Sequence, residues 1–108
     1  MPSYSGPILL SFAVLLPHIA AAGDKEAGEA LYYDGCVSCH GQAGKGASSY
    51  PKVSGNDIAY TIEKLEAYRA GIKQGSNSAL MIMMAKPLTD EEIENLAAYL
   101  EDAVYVVQ

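Results

Sequence analysis

Cys36-Val37-Ser38-Cys39-His40 gathers both cysteines of the chain and one of its two histidines into five residues. Two thiols at this separation can add across the two vinyl groups of one porphyrin. The imidazole that follows is then placed to reach the iron from one side. C-x-x-C-H therefore reads as a haem-attachment sequence. The same residues admit other chemistry. A redox dithiol needs its C-x-x-C at the start of a helix in a βαβ setting, and no strand pattern is evident here. A structural zinc site needs four ligands, and no second pair of soft ligands lies elsewhere. Spacing alone does not separate haem attachment from a plain disulfide. A second group, Met81, Met83 and Met84, offers thioethers of the kind that complete haem coordination in electron carriers.

The setting of the motif adds weight. The first 22 residues contain no charged side chain and run through an apolar stretch, Ile8 to Leu16, to Ala20-Ala21-Ala22. This resembles a secretory signal with cleavage after Ala22, although its start carries no Lys or Arg. The run is short for a membrane span and is broken by Pro17-His18. The expected mature chain, residues 23–108, forms one domain in the periplasm with no span of its own. His40 is then its single histidine. An exported chain of this size needs something beyond its own side chains to fill or staple it, and it has no Trp and one Phe.

Three segments carry helical patterns that could position the motif. Asp24 to Asp34 has Ala27, Ala30 and Leu31 at helical spacing, with Gly35 placed to stop it. Asp57 to Ala70 has Ile58, Ile62 and Leu65, a capping Asp57 and a left-handed Gly71. Thr89 with Glu92 forms a capping box ahead of Ile93, Leu96, Ala97, Leu100 and Val104. Between them lie two expected loops, Gly41 to Asn56 and Ile72 to Leu88. Loops this long are uncommon in a small domain and suggest that the chain wraps a large non-protein group.

These features together resemble class I cytochrome c, short bacterial type, over Gly23 to Ala103. The resemblance rests on a Gly-containing first helix, the motif with Gly41 after it, a Met-bearing loop, and a last helix reading Leu96-Ala97-Ala98-Tyr99-Leu100. It implies an all-α, cytochrome c-like fold of about three to four helices around one covalently bound haem c. It implies thioether bonds from Cys36 and Cys39 and His40 as one axial iron ligand. Met81, found by counting back from Leu88 and Thr89, is the other, with Met84 and Met83 as alternatives. It also implies that the Pro51 carbonyl holds the far nitrogen of the His40 ring. Gly28 and Tyr32 would cross Leu96 and Tyr99 where the first and last helices meet.

The implied function is single-electron transfer between redox proteins rather than catalysis. His and Met together leave no coordination position open, and a thioether favours the ferrous state. Burial of the haem by Ile58, Ile62, Leu65, Leu80 and Leu88 would push the same way. An alternative is a tightly bound cytochrome subunit of an oxidoreductase, of the flavocytochrome c sulfide dehydrogenase type. The partners would be a donor and an acceptor, including a membrane-bound complex or a flavoprotein. With a net charge of −6, nucleic acid is not an expected partner. Charge is uneven: Asp24, Glu26, Glu29 and Asp34 face only Lys25 in the first helix, and no base balances Asp90, Glu91, Glu92, Glu94, Glu101 and Asp102 in the last. The bases Lys45, Lys52, Lys64, Arg69, Lys73 and Lys86 lie between. A charge dipole of this kind can steer docking, with Lys45, Lys52 and Lys86 as the expected rim.

Overall fold

The structure is a computed structural model that describes residues 1–14 and 23–107. The expected cleavage point after Ala22 lies outside the described residues. Residues 1–14 are exposed and carry no regular secondary structure. No described helix is long and apolar enough to cross a membrane.

Five α-helices follow: α1 (Lys25–Gly35), α2 (Val37–His40), α3 (Ile58–Arg69), α4 (Ser78–Ala85) and α5 (Asp90–Glu101). A 3₁₀ turn covers Gln42–Gly44, and the described residues contain no strand beyond the single bridge between Ala47 and Tyr50. α1 starts on Asp24, whose carboxylate accepts from the Glu26 and Ala27 amides at 2.9 and 3.2 Å. α5 starts on the expected capping box: Glu92 N–H donates to Thr89 Oγ1 at 3.1 Å, and Thr89 N–H donates to Glu92 Oε1 at 3.0 Å. Both caps satisfy amides that a helix start leaves unpaired.

α1 and α5 cross at Gly28. A Cβ there would fall on the Asn95 backbone carbonyl and 3.0 Å from Tyr99 Cβ, so only glycine lets the two backbones come this close. Asn95 Oδ1 accepts from the Asp24 amide at 2.7 Å across the same crossing. Tyr32, Leu96 and Leu100 are buried at its centre, and the Tyr32 ring lies 5.5 Å from that of Tyr99. The expected Gly28, Tyr32, Leu96 and Tyr99 contact is therefore present.

Three local expectations differ. α4 occupies the middle of the segment read as a loop. Its core, Ala79 to Ala85, is apolar on every side, which hides the helical period, while its Leu, Met and Ala residues are strong helix formers. α1 does end at Gly35, and Cys36 at φ −108°, ψ −31° leads directly into α2. Asp57 precedes α3 without a side-chain cap bond, although Gly71 does take φ +80° after it. α5 ends at Glu101, so Val104 lies beyond the helix and is exposed. Asp102 is held instead by Lys25 at 2.5 Å.

Candidate haem site

The motif is a single helical turn hung on the end of α1. The Cys36 amide donates to the Tyr32 carbonyl at 2.8 Å, and the His40 amide donates to the Cys36 carbonyl at 3.0 Å. Cys36 and Cys39 are thereby three residues apart on one turn, which places their side chains on neighbouring positions of one face. Both are half-buried and free, so no disulfide joins them. Burial pushes the Cys36 thiol up, with the Asp34 and Cys39 charges adding to it. Among the described residues no cluster of three or more His, Cys, Asp or Glu could hold a metal ion.

His40 is buried, 8% exposed, and its Nδ1 lies 2.9 Å from the Pro51 carbonyl. A carbonyl only accepts, so Nδ1 carries a proton, and in the neutral ring Nε2 then keeps its lone pair. This is the tautomer that can bind a metal. The loop that brings Pro51 here folds tightly against the motif. The Gly46 amide donates to the His40 carbonyl at 2.7 Å. Gly46 takes φ +86°, and a Cβ there would lie 2.8 Å from the Lys52 amide nitrogen. Tyr32 Oη donates to the Gly41 carbonyl at 2.5 Å, tying the residue after His40 back to the helix crossing. Burial pushes the Tyr32 phenol up to about 12.

Beside Cys36 lies a cavity of about 230 Å³ into which α1, α3, α4 and α5 all contribute. Its apolar wall includes Leu31, Leu65, Met81, Leu88 and Leu96. Of the five residues expected to bury the haem, Leu65 and Leu88 line this cavity. Ile58 and Ile62 are half-buried elsewhere, and Leu80 is 51% exposed, on the outer side of α4. The three methionines separate by burial: Met81 is half-buried, Met84 also reaches the cavity but is 42% exposed, and Met83 is 63% exposed. The donor chemistry suits a porphyrin: two free thiols on one turn, an imidazole held by a carbonyl, and a thioether on the wall of an apolar cavity that Cys36 also lines, although Cys39 and His40 are not among its lining residues.

Several residues take positions at the site that the sequence reading does not give them. Asp34 and Glu92 are the charged groups lining the cavity, where the bases had been expected to gather. Asp34 sits in the last turn of α1, the end of a helix dipole that disfavours a negative charge, and that mismatch was the signal available in the sequence. Arg69 and Gln74 hold the turns on either side of α4 through backbone carbonyls, which leave no sequence signature. Of the expected rim, Lys45 is partly engaged, with Nζ 3.6 Å from the centre of the Tyr105 ring.

Known proteins match this geometry. The profile of the Cytochrome c family matches residues 25–103. Cytochrome c-554(548) of Halomonas halodenitrificans is 46% identical over 79 residues, which cover 72% of this chain and 94% of that protein. The thiosulfate dehydrogenase electron acceptor of Stutzerimonas stutzeri is 31% identical over 100 residues, covering 81% of this chain and 46% of that one. Among solved structures, reduced cytochrome c4 from Pseudomonas stutzeri superimposes with a TM-score of 0.69 at 26% identity, over 78% of this chain and 53% of that chain. The chain thus spans nearly all of the first relative and about half the length of the other two.

Proposed function

The chain belongs to the cytochrome c family, an electron carrier with covalently bound haem c rather than an enzyme, and on that premise we propose how its residues divide the work. Cys36 and Cys39 hold the haem through thioether bonds. His40 Nε2 and the Met81 thioether would hold its iron, and Pro51 orients His40. The bound haem supplies a one-electron couple between ferric and ferrous iron. The observation that carries this reading is the bond from His40 Nδ1 to the Pro51 carbonyl at 2.9 Å. It frees Nε2 for a metal while both thiols lie half-buried on the same turn.

The chain's residues fix what the group can do. With His40 and Met81 both holding the iron, these residues would leave no place there for oxygen or peroxide. Leu31, Leu65, Leu88 and Leu96 keep water from the cavity. The test is a haem-stained denaturing gel with a spectrum of the reduced protein after pyridine treatment. Cys36→Ala with Cys39→Ala should abolish covalent colour. Met81→Ala should abolish the sulfur-to-iron charge-transfer band of the oxidised protein, and Met84→Ala should leave it in place.

The carrier acts in the periplasm, with residues 1–22 removed as a leader. The apolar run ending in Ala20-Ala21-Ala22 supports this, and an intact mass beginning at Gly23 would confirm it. Its partners are a redox donor and acceptor that meet the rim near Lys52 and Lys86, with Lys45 contributing despite its contact with Tyr105. Reversing these charges should slow electron transfer at low salt and have less effect at high salt. A second reading, a subunit held by an oxidoreductase, draws support from the likeness to a thiosulfate dehydrogenase electron acceptor. Purification as a free monomer would count against it.

A further inference from the structure

α4 carries Met81, Met83 and Met84 within four residues. A helix with this choice of sulfurs must be held in one register for one of them to be selected. Apolar packing is poorly suited to that task. Among the helices α4 packs principally on α3, and of its side chains Ala85 is buried completely and Met81 and Ile82 in part. Such contact is non-directional, and the flexible methionine side chain fills whatever space it meets. α4 also begins without a side-chain cap bond from Asn77.

The directional contacts sit on the flanks of α4, and both lead to α3. Ahead of α4, the Gln74 amide donates to Ser78 Oγ at 2.7 Å, and Gln74 Nε2 donates to the Lys64 carbonyl at 3.1 Å. Behind α4, one guanidinium nitrogen of Arg69 donates to the Leu88 carbonyl at 3.1 Å, and the other donates to the Asp90 carboxylate at 2.7 Å. Asp90 is 81% exposed while Arg69 is only 28% exposed. The ion pair is therefore screened by water, and the part-buried bond to Leu88 is the firmer of the two. Lys64 and Arg69 lie five residues apart on one rigid helix, about 7.5 Å along its axis. α4 is clasped to α3 before its first turn and after its last.

We infer that Gln74 and Arg69 are positioning residues that set the register of α4 on α3 and so select which methionine reaches the iron. This rests on the reading of α4 as the ligand-bearing helix. Met84 is three residues beyond Met81, on the neighbouring position of the same face, and it already reaches the cavity. Opening either clasp lets α4 shift, and Met81 then competes with Met84 or with an empty position. The result is ligand exchange without unfolding.

The experiment uses the holoprotein with Gln74→Ala, Arg69→Ala and Arg69→Lys. Lys25→Ala serves as a control, since its ion pair with Asp102 involves neither α3 nor α4. The oxidised protein is titrated to alkaline pH while the sulfur-to-iron band is followed. The reduced protein is mixed with carbon monoxide, which binds only where an axial position opens. Gln74→Ala and Arg69→Ala should lose the band about one pH unit earlier than wild type and bind carbon monoxide about tenfold faster. Arg69→Lys, which keeps a donor near Leu88, should fall between, and Lys25→Ala should match wild type. Wild-type midpoints and rates in both alanine variants would overturn the inference. Met81→Ala, read on the same band, tests the ligand assignment separately.

Discussion

The α1–α5 crossing and the α3–α4 flank are built on opposite plans. At the crossing a glycine removes the last spacer between two backbones, Tyr32 is 1% exposed, and both helices begin on side-chain caps. Between the flank and the crossing a cavity of about 230 Å³ remains. Leu80 and Met83 are exposed, Met84 is 42% exposed at the cavity's edge, and neither α3 nor α4 has a side-chain cap bond. The crossing is complete with protein atoms alone. The flank is a wall for something else, and the motif on α2 joins the two.

The comparison is most open to attack through the thiols. Left unfilled, the cavity exposes the apolar side chains of Leu31, Leu65, Leu88 and Leu96, and a domain this small has little stability to spare. Cys36→Ala with Cys39→Ala should therefore abolish the cooperative thermal transition seen by circular dichroism, or leave a collapsed form lacking α3 and α4. A cooperative melt at the temperature of the haem-bearing protein would show that the flank stands alone and that the contrast is wrong.

Gly28→Ala attacks the other side. The added methyl falls on the Asn95 carbonyl, and overpacking of this kind costs about 1–3 kcal/mol. The melting temperature should fall by about 5–20 °C, while the visible spectrum of the folded holoprotein stays unchanged. A spectrum altered at low temperature would mean that the crossing and the haem site are not separable.

The same contrast explains what was legible in the sequence. The crossing is written in local, periodic terms: a capping box at Thr89, helical spacing through Ile93, Leu96 and Leu100, and a glycine in the first helix. The motif is equally plain because two thiols and an imidazole in five residues have few uses. α4 was hidden because a helix apolar all round shows no period. Arg69 and Gln74 were hidden because their partners, the Leu88 and Lys64 carbonyls, have no residue type. Asp57 has the right chemistry for a cap and does not use it, since the type permits the bond without dictating where the carboxylate turns.

Alkaline pH offers a smaller test of the link between crossing and motif. Burial raises the Tyr32 phenol from 10.0 to about 12. A raised value means that the fold favours the neutral phenol. Its contribution to stability is complete below pH 10 and is lost as pH rises from 10 to about 12. The stability difference between wild type and Tyr32→Phe should therefore shrink across that window, followed by thermal melts at each pH. Below it the difference should be constant, reporting the lost bond to the Gly41 carbonyl. A difference that does not change with pH would place the phenol in water, contrary to its burial.

The smallest effect is expected at the edge of the crossing, where Lys25 meets Asp102 at 2.5 Å. The contact joins the start of α1 to the end of α5, so it looks like a latch on the two helices. Its side chains are 55% and 61% exposed. The mutual attraction raises the Lys25 pKa and lowers that of Asp102, each chiefly through the shared hydrogen bond. Water and salt screen a pair this open, and ordering two long side chains cancels much of the gain. Lys25→Ala should leave the melting temperature within measurement error at physiological salt. A shift should emerge only at low ionic strength. A shift that persists in high salt would make the ion pair a part of the crossing's rigidity, and packing around Gly28 would no longer account for that side of the molecule by itself.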